Sequence, residues 1–262
     1  MKLRRSLAVF STSLVALLAA TSCSIVPEAR GALRYQLLEP SGDLAASSGG
    51  GSSSTSLDRL GLGDREELLS PRADVSWGPV DLMVSAFDLS ASGSGEVDGT
   101  YELGGVTIPA GESVDSDLDL THVSALMTWD LVPTDLIDIG IGFGVAYIDF
   151  DVTLDGEFSG TARTAEEVPI PVLALRAEVD LGPVTGNLHV SGMSIDIDDV
   201  DAMYLDADAF VAYRFSELLG VEAQLQVGYR HVELEFDYDD GGSNVDGELE
   251  LSGVYFGLAV GF

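Results

Sequence analysis

The chain has 262 residues, with 44 Asp and Glu against 12 Lys and Arg, for a net charge of −32. That length suits one large domain, and that charge repels polyanions, which excludes nucleic acid as a partner. Cys23 is the single cysteine, so no disulfide can form within the chain.

Lys2, Arg4 and Arg5 precede an apolar run over 7–20. A charged start followed by an apolar stretch too short to cross a bilayer reads as a secretory signal, here residues 1–22. Its removal leaves nine basic residues, all arginine. Cys23 follows Ala20-Thr21-Ser22, a setting similar to the bacterial lipobox, whose cysteine is acylated after cleavage. Ala20 stands where that motif usually has leucine. Cys23 is therefore the candidate lipidation site, with ordinary cleavage beside small residues as the alternative. Residues 23–30 are expected to be a linker, and the remainder, 31–262, one domain.

Leu33, Tyr35 and Leu37 alternate with Arg34, Gln36 and Leu38, the period of a strand over 31–39. The Ser/Gly composition of 40–56 is that of flexible loop. No period is readable over 57–69, so 40–70 is expected to be a long loop region. Ala73-Asp74-Val75-Ser76-Trp77-Gly78-Pro79-Val80 then recurs as Ala177-Glu178-Val179-Asp180-Leu181-Gly182-Pro183-Val184. Each copy is a strand, a Gly-Pro reversal and the start of a returning strand. Tight reversals also fall at 132–135 and 216–220, and longer polar connections are expected at 93–116, 155–166, 198–202 and 239–247. The pattern predicts ten strands: 31–39, 71–77, 80–92, 117–131, 135–154, 167–181, 184–197, 203–215, 221–238 and 247–262. Eight or twelve follow if 40–70 or 98–110 is divided differently.

Several strands change phase partway along. Val221, Ala223, Leu225, Val227 and Tyr229 share a parity that continues as His231, Glu233, Glu235 and Asp237. The opposite parity reads Glu222, Gln224, Gln226 and Arg230, then Val232, Leu234, Phe236 and Tyr238. Ile137 to Tyr147 give way likewise to Asp149 and Asp151, with Ile148, Phe150 and Val152 opposite. An outward face that is apolar for about nine residues, the length of a tilted membrane strand, and then acidic describes a barrel standing above a bilayer. Its lower interior holds a charge network of Arg176, Glu178, Asp208, Arg214, Glu222 and Arg230. Its upper interior is a hydrophobic cup of Phe150, Val232, Leu234, Phe236, Leu249 and Leu251. Charges taken out of water must be paired or hydrated, so a filled lumen is the first reading and a narrow hydrated pore the second. Composition does not separate a packed cup from a pocket for a small hydrophobic ligand.

The last strand alternates strictly, with Val254, Phe256, Leu258, Val260 and Phe262 on one face. Tyr255, Gly257, Val260 and Phe262 together resemble the C-terminal assembly signal of bacterial outer-membrane β-barrels, and the barrel pattern covers nearly the whole chain. The chain thus resembles small outer-membrane barrels of the OmpA/OmpW-like kind: all-β, a single antiparallel up-and-down transmembrane barrel. That resemblance implies an outer-membrane location, periplasmic termini, outer-membrane lipids and the barrel assembly machinery as partners, and, on the OmpW-like side, passage of a small hydrophobic molecule.

Catalytic signals are sparse. His122 and Ser124 lie two apart on one strand face, a spacing in which imidazole can activate a hydroxyl. Outer-membrane lipases and lipid A deacylases carry a similar His-x-Ser. In those families the pair faces lipid and asparagine commonly follows the serine, whereas here the pair has lumen parity and Ala125 follows. The acidic runs 196–201 and 237–240 offer oxygen ligands for Ca²⁺ but match no defined loop, and solvated loops are the alternative. No phosphate-binding or zinc spacing occurs and no cofactor is expected. The resulting expectation is a non-enzymatic structural or binding barrel, with transport and then lipid hydrolysis as alternatives.

Overall fold

The computed structural model describes residues 27–48, 51–103, 106–132, 134, 136–197, 200–218, 220–239 and 243–262. The expected signal segment 1–22 and Cys23 lie outside the described residues, as do the side chains of Phe236 and of both acidic runs. The described chain is built of β1 (Glu28–Ser48), β2 (Gly51–Ser56), β3 (Glu66–Trp77), β4 (Val80–Glu96), β5 (Tyr101–Leu103), β6 (Val106–Ile108), β7 (Ser113–Asp130), β8 (Ile137–Gly156), β9 (Gly160–Asp180), β10 (Val184–Ile197), β11 (Val200–Leu218), β12 (Val221–Asp239) and β13 (Ser243–Gly261).

Ten of these form a closed antiparallel barrel in the order β1-β3-β4-β7-β8-β9-β10-β11-β12-β13, and β13 pairs back onto β1. The closing ladder runs from Arg30↔Gly261 to Ser48↔Ser243. β2 folds back as a hairpin on the upper part of β1, and β5–β6 is a separate small hairpin. The Gly-Pro reversals are tight turns, with Gly78 and Gly182 at φ of 60° and 86°, a backbone region that favours glycine.

The alternation read from the sequence sets the two faces. Leu33, Leu82, Phe143, Leu173, Val211, Leu225, Val227, Phe256 and Leu258 form part of an exposed apolar band around the wall. Trp77, Tyr213, Phe215 and Phe262 are exposed toward the short-turn end, and Tyr35 and Tyr229 toward the other. The phase change is present too: Gln224, Gln226 and Arg230 are buried in the lower interior of β12, and Val232 above them.

Three expectations require correction. The region 40–70 is not a loop: β1 continues to Ser48, β2 follows, and β3 begins at Glu66. Ser, Gly and Asp there mark strands outside the apolar band, where the ladder persists without an apolar period. For the same reason, the long connections are mostly strand. β8 and β9 pair up to Gly156↔Gly160, and β12 and β13 up to Asp239↔Asn244. Third, the expected linker 23–30 overlaps β1, which starts at Glu28.

The upper barrel differs from the lower one. β3 and β4 pair only from Trp77↔Val80 to Arg72↔Ser85, and β9 and β10 only from Asp180↔Thr185 to Leu173↔Gly192. Above those points the wall is two facing sheets, β4-β7-β8-β9 and β10-β11-β12-β13-β1, the latter edged by the upper end of β3 and then by β2. Their inner faces pack into one core that includes Phe87, Leu118, Leu120, Ile148 and Val152 from the first, and Leu38, Tyr204, Val232 and Leu251 from the second. The turn after β2 inserts Leu57, Leu60 and Leu62, all at most 2% exposed. Burying each leucine contributes about 1.5–3 kcal/mol. That turn also covers the β3–β4 seam. Cβ atoms added at Gly93 and Gly95 would meet the carbonyl oxygens of Gly61 and Arg59 at 2.2 and 1.7 Å, so only glycine permits the approach. Ser70 Oγ donates to the Ala86 carbonyl at 2.8 Å across the same seam.

Candidate functional site: the charged lumen and the apolar cup

The interior of the lower barrel is organised by Asp208 on β11. Its Oδ2 accepts from Arg34 Nη1 at 2.6 Å and Arg72 Nη1 at 3.0 Å, and its Oδ1 accepts from the Tyr255 hydroxyl at 2.5 Å. Arg72 also grips Asp74 through Nε, at 3.0 Å to each oxygen, and Nη2, at 2.7 Å. The same Nη2 donates to His189 Nε2 at 2.8 Å, which places the ring proton of a neutral imidazole on Nδ1. Arg34 Nε donates to Gln226 Oε1 at 3.1 Å. The Arg34 guanidinium lies 4.8 Å from the Phe210 ring centroid and 4.7 Å from that of Tyr255, cation–π contacts that partly replace lost hydration. The knot thus draws on β1, β3, β10, β11, β12 and β13.

Two inward glycines make room for it. A Cβ at Gly228 would meet Tyr255 Cζ at 2.5 Å, and one at Gly257 would meet Arg34 Cγ at 3.0 Å. Arg230, 1% exposed, forms its own fork with Asp206, at 3.1 Å from Nε and 2.8 Å from Nη2. It lies 4.9 Å from the Phe87 ring, which stacks on His122 at 4.8 Å. Nearer the short-turn end, Arg176 contacts Asp130, Asp138 and Asp81 at 2.6, 2.9 and 2.7 Å. Arg214 contacts Glu222 at 2.8 Å and Asp180 at 3.3 Å.

The expected charge network is therefore several knots. Arg214 and Glu222 do meet. Asp208 and Arg230 lie in the lumen but pair with other partners, and Glu178 forms no ion pair among the described residues. Asp130, Asp138, Asp180 and Asp206, which have the inward parity in the sequence, complete the knots together with Arg34, Arg72, Asp74 and Asp81, which sequence reasoning did not place there. Arg34 has a readable signal, since it alternates with the outward Leu33 and Tyr35. Arg72 has a weaker one, an extension of the Ala73–Val75–Trp77 parity one residue back. Tyr255, read as part of the assembly signal, is also a lumen residue at 0% exposure.

Five of the six cup residues come together. Val232, Leu249 and Leu251 are buried in the upper core, and Phe150 and Leu234 pack against it. The backbone of Phe236 sits between Ala202 and Gly247. A cavity of about 10 Å³ remains among Leu57, Leu118, Phe150, Val152, Leu234 and Leu249, and another of about 10 Å³ lies beside Ser85, Leu126 and Arg230. Each has room for about one water molecule. Sequence reasoning missed the plug of Leu57, Leu60 and Leu62 because its spacing belongs to a turn.

His122 and Ser124 both face the lumen at 0% exposure. His122 Nε2 bonds the Tyr204 hydroxyl at 2.7 Å and Ser124 Oγ bonds Ser85 Oγ at 2.9 Å. Each is thus committed to another partner.

Above the band, the outer wall is acidic. Glu233 opposes Glu250 and Glu235 opposes Glu248 across β12 and β13. Partial desolvation, then Glu235, Asp43, Glu233 and Glu250, raise the Glu248 carboxyl above its ordinary value. On the opposite side Arg163 forks onto Asp151, and this bond followed by the attraction between the charges lowers the Asp151 carboxyl.

No protein-family model matches the chain, and no curated protein does. Among solved structures, the outer membrane protease OmpT from Escherichia coli aligns with a TM-score of 0.46 and 8% identity, over 92% of this chain and 99% of that one. A Pseudomonas aeruginosa FadL homologue gives 0.35 and 11%, over 90% of each chain. The attachment invasion locus protein Ail of Yersinia pestis gives 0.30 and 8%, over 87% of this chain and 98% of that one. All three are bacterial proteins, and the barrel architecture of this chain rests on its own closed ladder.

Proposed function

We propose that this chain is a bacterial outer-membrane barrel with a closed lumen and a non-enzymatic, structural or binding role. The observation that carries the reading is the Arg34–Asp208–Arg72 knot, which ties opposite walls together across the lumen axis and is buried on every side. Membrane insertion is supported by the apolar band, which a water-soluble protein would leave facing water. The short-turn end and both termini then lie in the periplasm and the acidic rim outside. Lipids and the barrel assembly machinery are the partners, the latter through Tyr255, Gly257, Val260 and Phe262. The OmpA/OmpW-like resemblance belongs to this reading and rests on the sequence pattern.

Planar-bilayer recording tests the closed lumen: the purified barrel is expected to give no steady conductance. Large sustained currents would show that the knot does not seal the axis. Fractionation is expected to recover the protein in the outer membrane, with assembly impaired by deletion of Phe262; a freely soluble periplasmic product would overturn the location. Labelling with a radioactive fatty acid, compared between the wild type and Cys23→Ala, decides between lipidation and plain cleavage.

A further inference from the structure

The wall between β9 and β10 is open over part of its height. Their ladder ends at Leu173↔Gly192, although β9 extends away from that point to Gly160 and β10 to Ile197. The ladder between β8 and β9 runs on unbroken to Gly156↔Gly160. Pro169 and Pro171 account for the difference. They share a parity, so the two N–H groups they lack fall on one edge of β9, the edge turned toward β10.

The gap begins within the apolar band. Leu173, at its base, is 71% exposed, and Tyr147, opposite Pro169, is the last outward apolar residue of β8 before Asp149. In hydrocarbon an unpaired N–H is costly, and the two prolines remove both donors from the β9 edge while leaving their carbonyls there. The lips show that the gap reaches inward. Val168 and Met193 have the lumen-facing parity of their strands, yet they are 45% and 37% exposed. Behind them Ile170 and Val172 are buried in the cup core. The β3–β4 seam is covered by the plug turn; the β5–β6 hairpin touches β9, yet Val168 and Met193 at the gap stay exposed.

We infer that this gap is a slot for one acyl chain of an outer-leaflet lipid, entered sideways from the bilayer and closed at its inner end. The inference rests on the membrane reading above. The phase next to the base of the gap is then lipid, Val168 and Met193 on its lips are apolar, and Ser194, Glu166 and Glu167 mark its upper, water-facing end, where the glutamates disfavour an anionic head group. A docking β-strand is a poor occupant, because Pro169 and Pro171 offer it no donors. Passage onward is blocked by the packed core and the knots beneath it, so the chain docks and goes no further.

Fluorescence quenching tests this. In a Trp77→Phe/Trp129→Phe background, single tryptophans are placed at Met193, at Phe150 and at Phe143. Each variant is reconstituted in phosphatidylcholine vesicles with or without bromine on the acyl chains. The slot predicts that bromine at least halves the emission of Met193→Trp, as it does for the lipid-facing Phe143→Trp, and leaves the inward Phe150→Trp nearly unchanged. Pro169→Thr/Pro171→Thr, which restores both donors, is expected to protect the tryptophan at 193. Quenching at 143 without quenching at 193 would overturn the slot and leave the membrane reading standing. Absence of quenching at 143 would overturn the membrane reading itself. Val168→Trp, on the other lip, reads the same opening if Met193→Trp does not fold.

Discussion

Arg230 and Arg214 show that a lumen charge is worth what its surroundings make it. Arg230 is fully covered and matched to one carboxylate, whereas the Arg214 side chain is 28% exposed. Replacing Arg230 by Met leaves Asp206 buried and unpaired, and is expected to cost about 3–5 kcal/mol. Arg214→Met should cost under about 1 kcal/mol, because water can hydrate Glu222 and Asp180. Denaturant midpoints in detergent measure both, and equal losses would mean that burial does not set the scale. Glu112, beyond the apolar band, gives a pH-dependent counterpart. It accepts from the Phe158 and Ser159 amides at 2.7 and 2.8 Å and from Ser159 Oγ at 2.5 Å. The Ser159 hydroxyl first, then these amides, hold its carboxyl below the ordinary value. A depressed carboxylate contributes stability that is present above its unfolded value and is lost as pH falls through the folded one. Hydrogen-exchange protection of Phe158 and Ser159 is therefore expected to fall below about pH 4, and to be weak already at neutral pH in Glu112→Gln. Constant protection across that range would remove Glu112 as the latch of the β8–β9 turn.

At the scale of the element, β12 carries the sharpest test of register. Leu234 packs against the upper core, while Glu235 faces outward and opposes Glu248. Glu235→Lys replaces a like-charge cross-strand pair with an opposite one and is expected to stay within about 0.5 kcal/mol of wild type or improve on it. Leu234→Lys places an ammonium against apolar side chains and should prevent stable folding. The opposite order would put β12 one residue out of register. Leu60→Ala in the plug should cost about 2–5 kcal/mol by leaving a cavity between the two sheets. These two elements also mark what the sequence could reveal. β12 was legible because one side of every residue pair contacts apolar surroundings, so alternation survives the change of the outer face from apolar to acidic. The plug was not, since three leucines on a turn have no strand period. The upper end of β1 was hidden for another reason: its hydrogen bonds are made by backbone, and Ser, Gly and Ala side chains leave no trace of them. The seams were equally invisible, as pairing between neighbours is not written in either strand alone. Pro169 and Pro171 were the exception, a local signal that a ladder must stop.

The molecule as a whole is a closed ring in its lower half and two facing sheets above, joined by a common interior that changes from ionic to apolar. The two halves hold together differently. Ladder and charge knots close the ring, whereas leucine and aromatic packing closes the sheets. Loss of Leu60 should accordingly weaken amide protection above Ser85 and Leu173 more than below them. The Asp208 knot bears on the order of assembly. Arg34 and Asp208 are 174 positions apart in the chain, and Tyr255, their third partner, lies on the strand that meets β1 at closure. The N-terminal half alone therefore presents Arg34 and Arg72 with no Asp208, and the C-terminal half presents Asp208 with neither arginine. Each incomplete sheet keeps hydrated charges on the face that will become the interior, which hinders it from collapsing on itself or on another copy. The knot can form only once the last strand has found the first. Asp208→Asn is then expected to accelerate unfolding while leaving the folding rate nearly unchanged, as for contacts made after the transition state: the interaction acts as a latch thrown after the ring has closed.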